Sequence, residues 1–366
     1  MTTAPPALLF VFRNGWAERA RRVAAGTAPA ESHGYFALAE GGYDVAALDA
    51  SDPVAARWRP VAEAVQRLYS IPRSGLGYRL HQARAVRARL RGDGRRLVVA
   101  TTDSLGLPLL SLVRGRRLPN PVVHISIGLA DRIHAGRVAP RLARRYAALL
   151  GAARAVLVFA PREAELVRAA APAARVEVIP LGIDAAWWAP PEEVAPRTAT
   201  LLAPGRDPGR RFATLVRAVD GLPVRTTVVG SLARVQGVRP AERLDVVDDV
   251  PLHELRALLW ESELVALPTA AAAYGSGHST ALQAMAAGKP VVMSDTGWAA
   301  HFGLRPGEHF VDVPPEEPDA LRAALESLLG SPDHGAAIGA RARAAVAAGF
   351  SPRRQADAIL AAASAP

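Results

Sequence analysis

Apolar runs of strand length alternate with amphipathic segments of helix length from one end of this chain to the other, and that alternation admits few folds. In the first half the runs are Leu8–Phe12, Tyr43–Leu48, Leu97–Thr101, Val122–Ser126, Ala155–Phe159 and Val176–Pro180. They are nearly continuous rather than alternating, as expected of strands covered on both faces of a parallel sheet. After Leu181-Gly-Ile-Asp the chain becomes rich in proline, tryptophan and acidic residues as far as Arg197, which reads as a linker. A second series follows at Ala199–Leu202, Arg225–Val229, Leu264–Leu267, Pro290–Met293 and His309–Val311, with helices predicted at Leu252–Trp260 and Thr280–Ala287. A last amphipathic helix is predicted over Ser351–Ala363, announced by Phe350-Ser-Pro. The expectation is an α/β protein of two Rossmann-like, doubly wound parallel-sheet domains facing a central cleft. Their bounds are 1–182 and 199–350, with a linker at 183–198 and a helix at 351–366 that can cross back to the first domain. Any ligand belongs at the carboxyl ends of the strands.

Composition narrows the class. Half of the 366 residues are hydrophobic, yet no apolar run approaches the ~18 residues that a membrane-spanning helix needs. The first twelve residues lack a basic leader and a small-residue cleavage site, and there is no cysteine, so disulfides and thiolate metal sites are excluded. A cytoplasmic protein is expected. The formal charge is +10 with Lys289 as the one lysine, so the basic charge is carried by arginine. The stretches Arg84-Ala-Val-Arg-Ala-Arg-Leu-Arg and Arg141-Leu-Ala-Arg-Arg read as solvated helix faces, or as faces for an anionic membrane or polyanion. No aromatics interleave with them, which argues against a nucleic-acid partner.

The segment Tyr274 to Val292, YGSGHSTALQAMAAGKPVV, carries the strongest local signal. Gly275 and Gly277 allow a sharp turn and close approach to a ligand, Ser276 lies between them, and Ser279 or Thr280 can cap the helix that follows. The free N–H groups and dipole of that helix favour a phosphate. A plain strand-to-helix turn explains the same residues. A P-loop is excluded for want of Lys before Ser/Thr, and the dinucleotide fingerprint for want of its third glycine. Upstream, Ala203-Pro-Gly-Arg-Asp-Pro-Gly-Arg-Arg-Phe follows a strand and sets Arg206, Arg210 and Arg211 at the same edge, where guanidinium groups can clamp a pyrophosphate. His278 can reach a phosphate or sugar from within the turn. His124 alternates along a buried strand and reads as a core residue, and His301 and His309 show no partners in the sequence. No His/Asp/Glu spacing suits a metal ion.

Four stretches in order, Val178-Ile-Pro-Leu-Gly-Ile-Asp, Gly205-Arg206 with its basic pair, Val265-Ala-Leu-Pro-Thr before the glycine turn, and Ala284-Met-Ala-Ala-Gly-Lys-Pro-Val-Val-Met-Ser-Asp-Thr-Gly, resemble the retaining GT-B enzymes of glycosyltransferase family 4. The resemblance runs over roughly 155–360. It implies the GT-B fold, a hexosyltransferase-like activity, a nucleoside diphosphate sugar as donor, no metal and no further cofactor. The family's two donor-flanking glutamates fall at Gly275 and Gln283, as in a subset reading GSG before the helix. Gln283 can still accept from a ribose through its amide oxygen. The family's arginine falls at Arg206 and its lysine at Arg210, with Arg211 the alternative. The resemblance thus implies donor contacts from Gly275, Ser276, Gly277, Ser279, Thr280, Gln283, Arg211 and Val250, with Arg206, Arg210 and His278 as catalytic candidates. On the acceptor side Asn14 and Gly15 occupy the loop after the first strand, and Ser126 takes the place of the histidine that many members carry. Three readings stay open: transfer to an unknown acceptor (small molecule, glycan or lipid), a same-fold epimerase or hydrolase, and an inert partner protein, since both acidic positions are missing. Contact with a membrane surface is a further possibility.

Overall fold

The computed structural model describes residues 6–61, 78–194, 200–205, 209–230, 243–248, 250–272, 274–294 and 297–364. The chain divides into two compact units. The first comprises Met1–Gly26, Ala30–Pro180 and Pro352–Pro366, and the second Thr27–Pro29 and Leu181–Ser351.

The first unit holds six strands, β1 (Leu8–Val11), β2 (Val45–Leu48), β3 (Leu97–Ala100), β4 (Val122–Ile125), β5 (Ala155–Val158) and β6 (Val176–Val178), in the order β2-β1-β3-β4-β5-β6. Every pairing is parallel. In β1, β3, β4 and β5 every residue is buried, which is why these segments read as apolar runs, broken only by His124 in β4. The sequence direction reverses between β1 and β3, and the loops after those two strands flank that crevice. The helix Pro352–Ser364 packs on this unit, burying Gln355, Ala356, Ile359 and Ala362.

The second unit repeats the plan with β7 (Thr200–Pro204), β8 (Arg225–Val229), β9 (Leu244–Val247), β10 (Leu264–Leu267), β11 (Val291–Met293) and β12 (Val311–Asp312), in the order β12-β11-β10-β7-β8-β9, all parallel. Strand β9 is absent from the sequence reading. It is the outer strand, its residues alternate between half-buried and exposed, and Asp245 interrupts the apolar run. A half-solvated edge strand carries a weaker signal than a central one. On one side the core joins Leu201 and Ala203 to Phe212, Leu215, Leu264 and Ile338. The reversal here falls between β7 and β10, so the described residues after these strands, 205 and 209–211 on one side and 268–272 and 274–277 on the other, meet at the switch point where open α/β sheets bind ligands.

Trp187 and Trp188, in a short helix Ala185–Trp188, serve packing. Trp188 is fully buried, and its carbonyl accepts from Trp260 Nε1 at 2.8 Å. Arg256 lies over the rings of Trp187 and Trp260. Lys289 is likewise structural: its Nζ donates to the Trp260 carbonyl at 2.7 Å, near the end of the helix Leu252–Glu261. Burial pushes its pKa down to about 8.

Candidate active site

The two loops at the second switch point are stitched together by their backbones. Arg210 and Thr269 form an antiparallel bridge. Arg211 N–H donates to the Pro268 carbonyl at 3.0 Å, and Ala270 N–H to the Gly209 carbonyl at 2.8 Å. Thr269 Oγ1 reaches on to the carbonyl of Ser294, just beyond β11, at 3.2 Å. The basic loop is therefore held against the exits of β10 and β11.

This frame fixes Arg210. The residue is 6 % exposed, and its side chain runs between two glycines. A Cβ at Gly205 would lie 2.1 Å from its Nε, and one at Gly277 would lie 2.8 Å from Nη1. Neither position tolerates a side chain while the arginine stays in place. Gly277 also has φ +85°, a left-handed conformation that favours glycine, and it is the N-cap of the helix His278–Ala286. That cap lacks a side-chain hydrogen bond, and no acidic residue occupies the first turn. Ser279 and Thr280 therefore do not cap the helix, contrary to the sequence reading; they sit inside its first turn, Ser279 exposed and Thr280 half-buried. The guanidinium of Arg210 lies against the positive end of the helix, and the two together favour an anion at that point.

His278 faces inward. It is 4 % exposed, its ring centroid lies 3.9 Å from that of Trp298, and its Nε2 is buried with no hydrogen-bond partner among the described residues. Burial pushes its pKa down to about 3, so the imidazole is neutral at pH 7. The ring fills the space beside Gly275, where a Cβ would lie 2.0 Å from it. The position at which the resemblance implies a glutamate is thus sterically closed by an imidazole three residues on. Ser294 Oγ is another buried polar atom at this edge with no hydrogen-bond partner among the described residues.

Ser276 and Gln283 are buried in the turn and the helix, at 5 % and 8 % exposure. Arg211 points elsewhere and pairs through Nε with Glu316. Val250 is half-buried just ahead of the helix Leu252–Glu261. Arg206 lies outside the described residues. Trp298, which walls in His278, gives no sequence signal, because the contact joins two helices 20 residues apart.

In the first unit Asn14 and Gly15 lie exposed after β1, at that sheet's own switch point. Asn14 Oδ1 accepts from Arg79 Nη1 at 2.8 Å, Gly15 (φ +86°) is the N-cap of the helix Trp16–Ala24, and Trp16 N–H donates to Asp49 at 2.6 Å. Ser126, expected on the acceptor side, is turned inward: it is fully buried and its hydroxyl donates to Asp103 Oδ1 at 2.8 Å. The other Asp103 oxygen accepts from Ile127 N–H at 3.0 Å, and His124 Nε2 lies 3.1 Å from Oδ1. Burial alone would raise the Asp103 pKa, but the bonds from His124, Ile127 and Ser126 outweigh it and hold the carboxyl below its usual range. His124 is thus a core residue, as its sequence position suggests. His309 does have a partner, the Arg305 N–H donating to its Nδ1 at 3.0 Å. Among the described residues no group of three His, Asp or Glu side chains is placed to hold a metal ion, and no helix is long and apolar enough to cross a membrane.

Two parallel-sheet units of this kind define the GT-B fold, and solved structures agree. Sucrose-phosphate synthase from Thermosynechococcus elongatus superposes with a TM-score of 0.74 at 20% identity, covering 98% of this chain and 97% of that one. Anabaena HepE, in complex with UDP and glucose, gives 0.66 at 17% identity over 98% and 100%. Residues 198–331, which contain the Arg210 loop and the glycine turn, match the family model described as glycosyl transferases group 1. The D-inositol 3-phosphate glycosyltransferase of Segniliparus rotundus is 29% identical over 216 residues, 51% of this chain and 46% of that protein. The chain spans about half the length of the curated relatives it matches.

Proposed function

We propose that this protein is a retaining glycosyltransferase of the family 4 type, moving a sugar from a nucleoside diphosphate sugar to an acceptor hydroxyl. The observation that carries the reading is Arg210, seated between Gly205 and Gly277 at the N-terminus of the helix His278–Ala286, inside the segment that matches the glycosyltransferase model. Guanidinium and helix dipole together stabilise the charge that develops on a departing diphosphate. The HepE complexes with UDP and glucose support a uridine nucleotide as the first donor to try. Gly277, Ser279 and Thr280 would offer backbone N–H groups to the phosphates, Gln283 the neutral ribose contact, and Arg206 a second cation. With His278 neutral and buried, the leaving phosphate itself takes the acceptor proton, and no cofactor beyond the donor is invoked. The acceptor lies with the first unit, near Asn14 and Gly15.

The test is Arg210→Ala in a purified transfer assay alongside calorimetric titration of UDP. Loss of a charged hydrogen-bonding partner costs about 1.5–3 kcal/mol, so UDP affinity should fall by roughly 10- to 100-fold and turnover by about 100-fold or more. Unchanged affinity and turnover would overturn the assignment. One observation favours a second reading, an inert partner protein that binds nucleotide without transfer: the imidazole of His278 occupies the space beside Gly275. In that case UDP binds, but no acceptor panel consumes the sugar donor.

A further inference from the structure

The arginine-rich stretch 84–91 and the last residue of the stretch 141–145 line one cavity of about 590 Å³ in the first unit. Arg84 and Arg87 of the helix Leu80–Arg89, Arg91 just beyond it, Arg117 and Arg145 line it, and Trp58 forms part of its wall. No aspartate or glutamate lines it among the described residues. Arg84 is held over the Trp58 ring at 4.9 Å, while Arg87, Arg91 and Arg117 make no ion pair with a described residue. Some arginines elsewhere in the same unit are neutralised. Arg89, on the same helix but outside the cavity, pairs with Asp52 at 2.9 Å, and Arg96 pairs with both Asp44 and Asp93.

A solvated helix face intersperses acids with its bases. Arg84, Arg87, Arg91 and Arg117 on one concave wall instead add their fields and raise the local concentration of anions. The volume falls within the range of ligand pockets, about 300–1000 Å³, and guanidinium forks suit phosphate oxygens two at a time. We propose that this cavity is an anion site of the first unit, separate from the switch-point site of the second, for a ligand that carries at least two phosphate groups. That chemistry is shared by a soluble phosphorylated compound and by the phosphate headgroups of a lipid surface.

The full chain is titrated with pyrophosphate in saturating UDP, which keeps the second unit's site occupied. Pelleting with phosphatidylcholine vesicles, with and without phosphatidic acid, is measured in parallel. We expect Arg87→Ala/Arg117→Ala to weaken the interaction about tenfold or more, with UDP affinity unchanged. A control that removes the same charge elsewhere, Arg21→Ala/Arg162→Ala, should bind as the unaltered chain does. Pyrophosphate binding without pelleting assigns the site to a soluble ligand; pelleting that needs phosphatidic acid and is lost in the cavity variant assigns it to a headgroup. Neither response, or equal weakening in both double variants, overturns the proposal. Failure to bind UDP would count against the donor reading alone, because the pyrophosphate comparison between variants stands without it.

Discussion

At position 275 the turn leaves no room for a side chain, and the obstacle is the side chain three residues on rather than the backbone. The His278 ring occupies the space a Cβ would enter, and Trp298 at 3.9 Å blocks its retreat. Gly275→Ala should therefore destabilise the protein by about 1–3 kcal/mol, the usual cost of overpacking. His278→Ala should cost about as much through the lost ring contacts, yet the double variant should be less destabilised than the sum, giving a coupling of about 1 kcal/mol or more in urea denaturation. Additive effects would mean that the ring does not fill that space. The same imidazole makes stability depend on acid. Its pKa is depressed to about 3 in the folded state from an ordinary value of 6.5, so between those limits the unfolded chain binds a proton that the native chain refuses. Stability contributed by this site is intact above pH 6.5 and falls by at most about 1.4 kcal/mol per pH unit as the pH drops below it. His278→Phe, which keeps an aromatic ring without a titrating group, should flatten that acid limb; an unchanged slope between pH 6.5 and 5 would locate the loss elsewhere.

At the scale of elements, a buried carboxylate ties the end of β4 to the start of the helix Asp103–Arg114. Asp103 receives bonds from Ser126 and from the backbone of the more exposed Ile127 and lies against His124, and Asp103, Ser126 and His124 are all buried. Asp103→Ala leaves three polar groups without their partner, and a loss of about 3–5 kcal/mol is expected, read as a lowered denaturation midpoint. A loss under 1 kcal/mol would show that water replaces the carboxylate freely. Asp103 also marks where sequence reading ends. The central strands were legible because burial on both faces leaves mostly apolar residues, and the Gly275–Thr280 turn and the Arg210 loop were legible because glycine spacing and clustered cations are local. Ser126 was legible as a position but not in its direction, since its partner lies 23 residues upstream. The helix at the glycine turn begins two residues before its predicted start because its cap is the left-handed backbone of Gly277 rather than a serine or threonine side chain. Strand β9 was hidden by its own solvent face, and Trp298 by a contact that exists only after folding.

On the scale of the whole molecule, the chain leaves its first unit at Pro180 and returns to it at Pro352, so that unit is completed by a segment remote in sequence from the rest of it. The returning helix is closely fitted: a Cβ at Gly34 would lie 2.7 Å from that of Ala356, Ile359 is fully buried, and Arg154 Nε donates to the Ala363 carbonyl at 2.9 Å. Truncation after Ser351 should therefore expose core in the first unit alone. Removing the Ile359 side chain forfeits about 2–3 kcal/mol of burial by itself, before the alanines beside it are counted. Each unit has its own core, so calorimetry should resolve two transitions, and the truncated chain should lose several degrees from only one of them. UDP identifies which. A ligand held by the second unit at 100 times its Kd stabilises that unit by about 2.7 kcal/mol, so the transition that UDP raises should be the one truncation leaves in place, with the same UDP affinity in both proteins. If truncation instead abolished the UDP shift while the other transition stayed put, the helix Pro352–Ser364 would belong energetically to the nucleotide-binding unit, and the division of the chain at Pro180 and Pro352 would have to be redrawn.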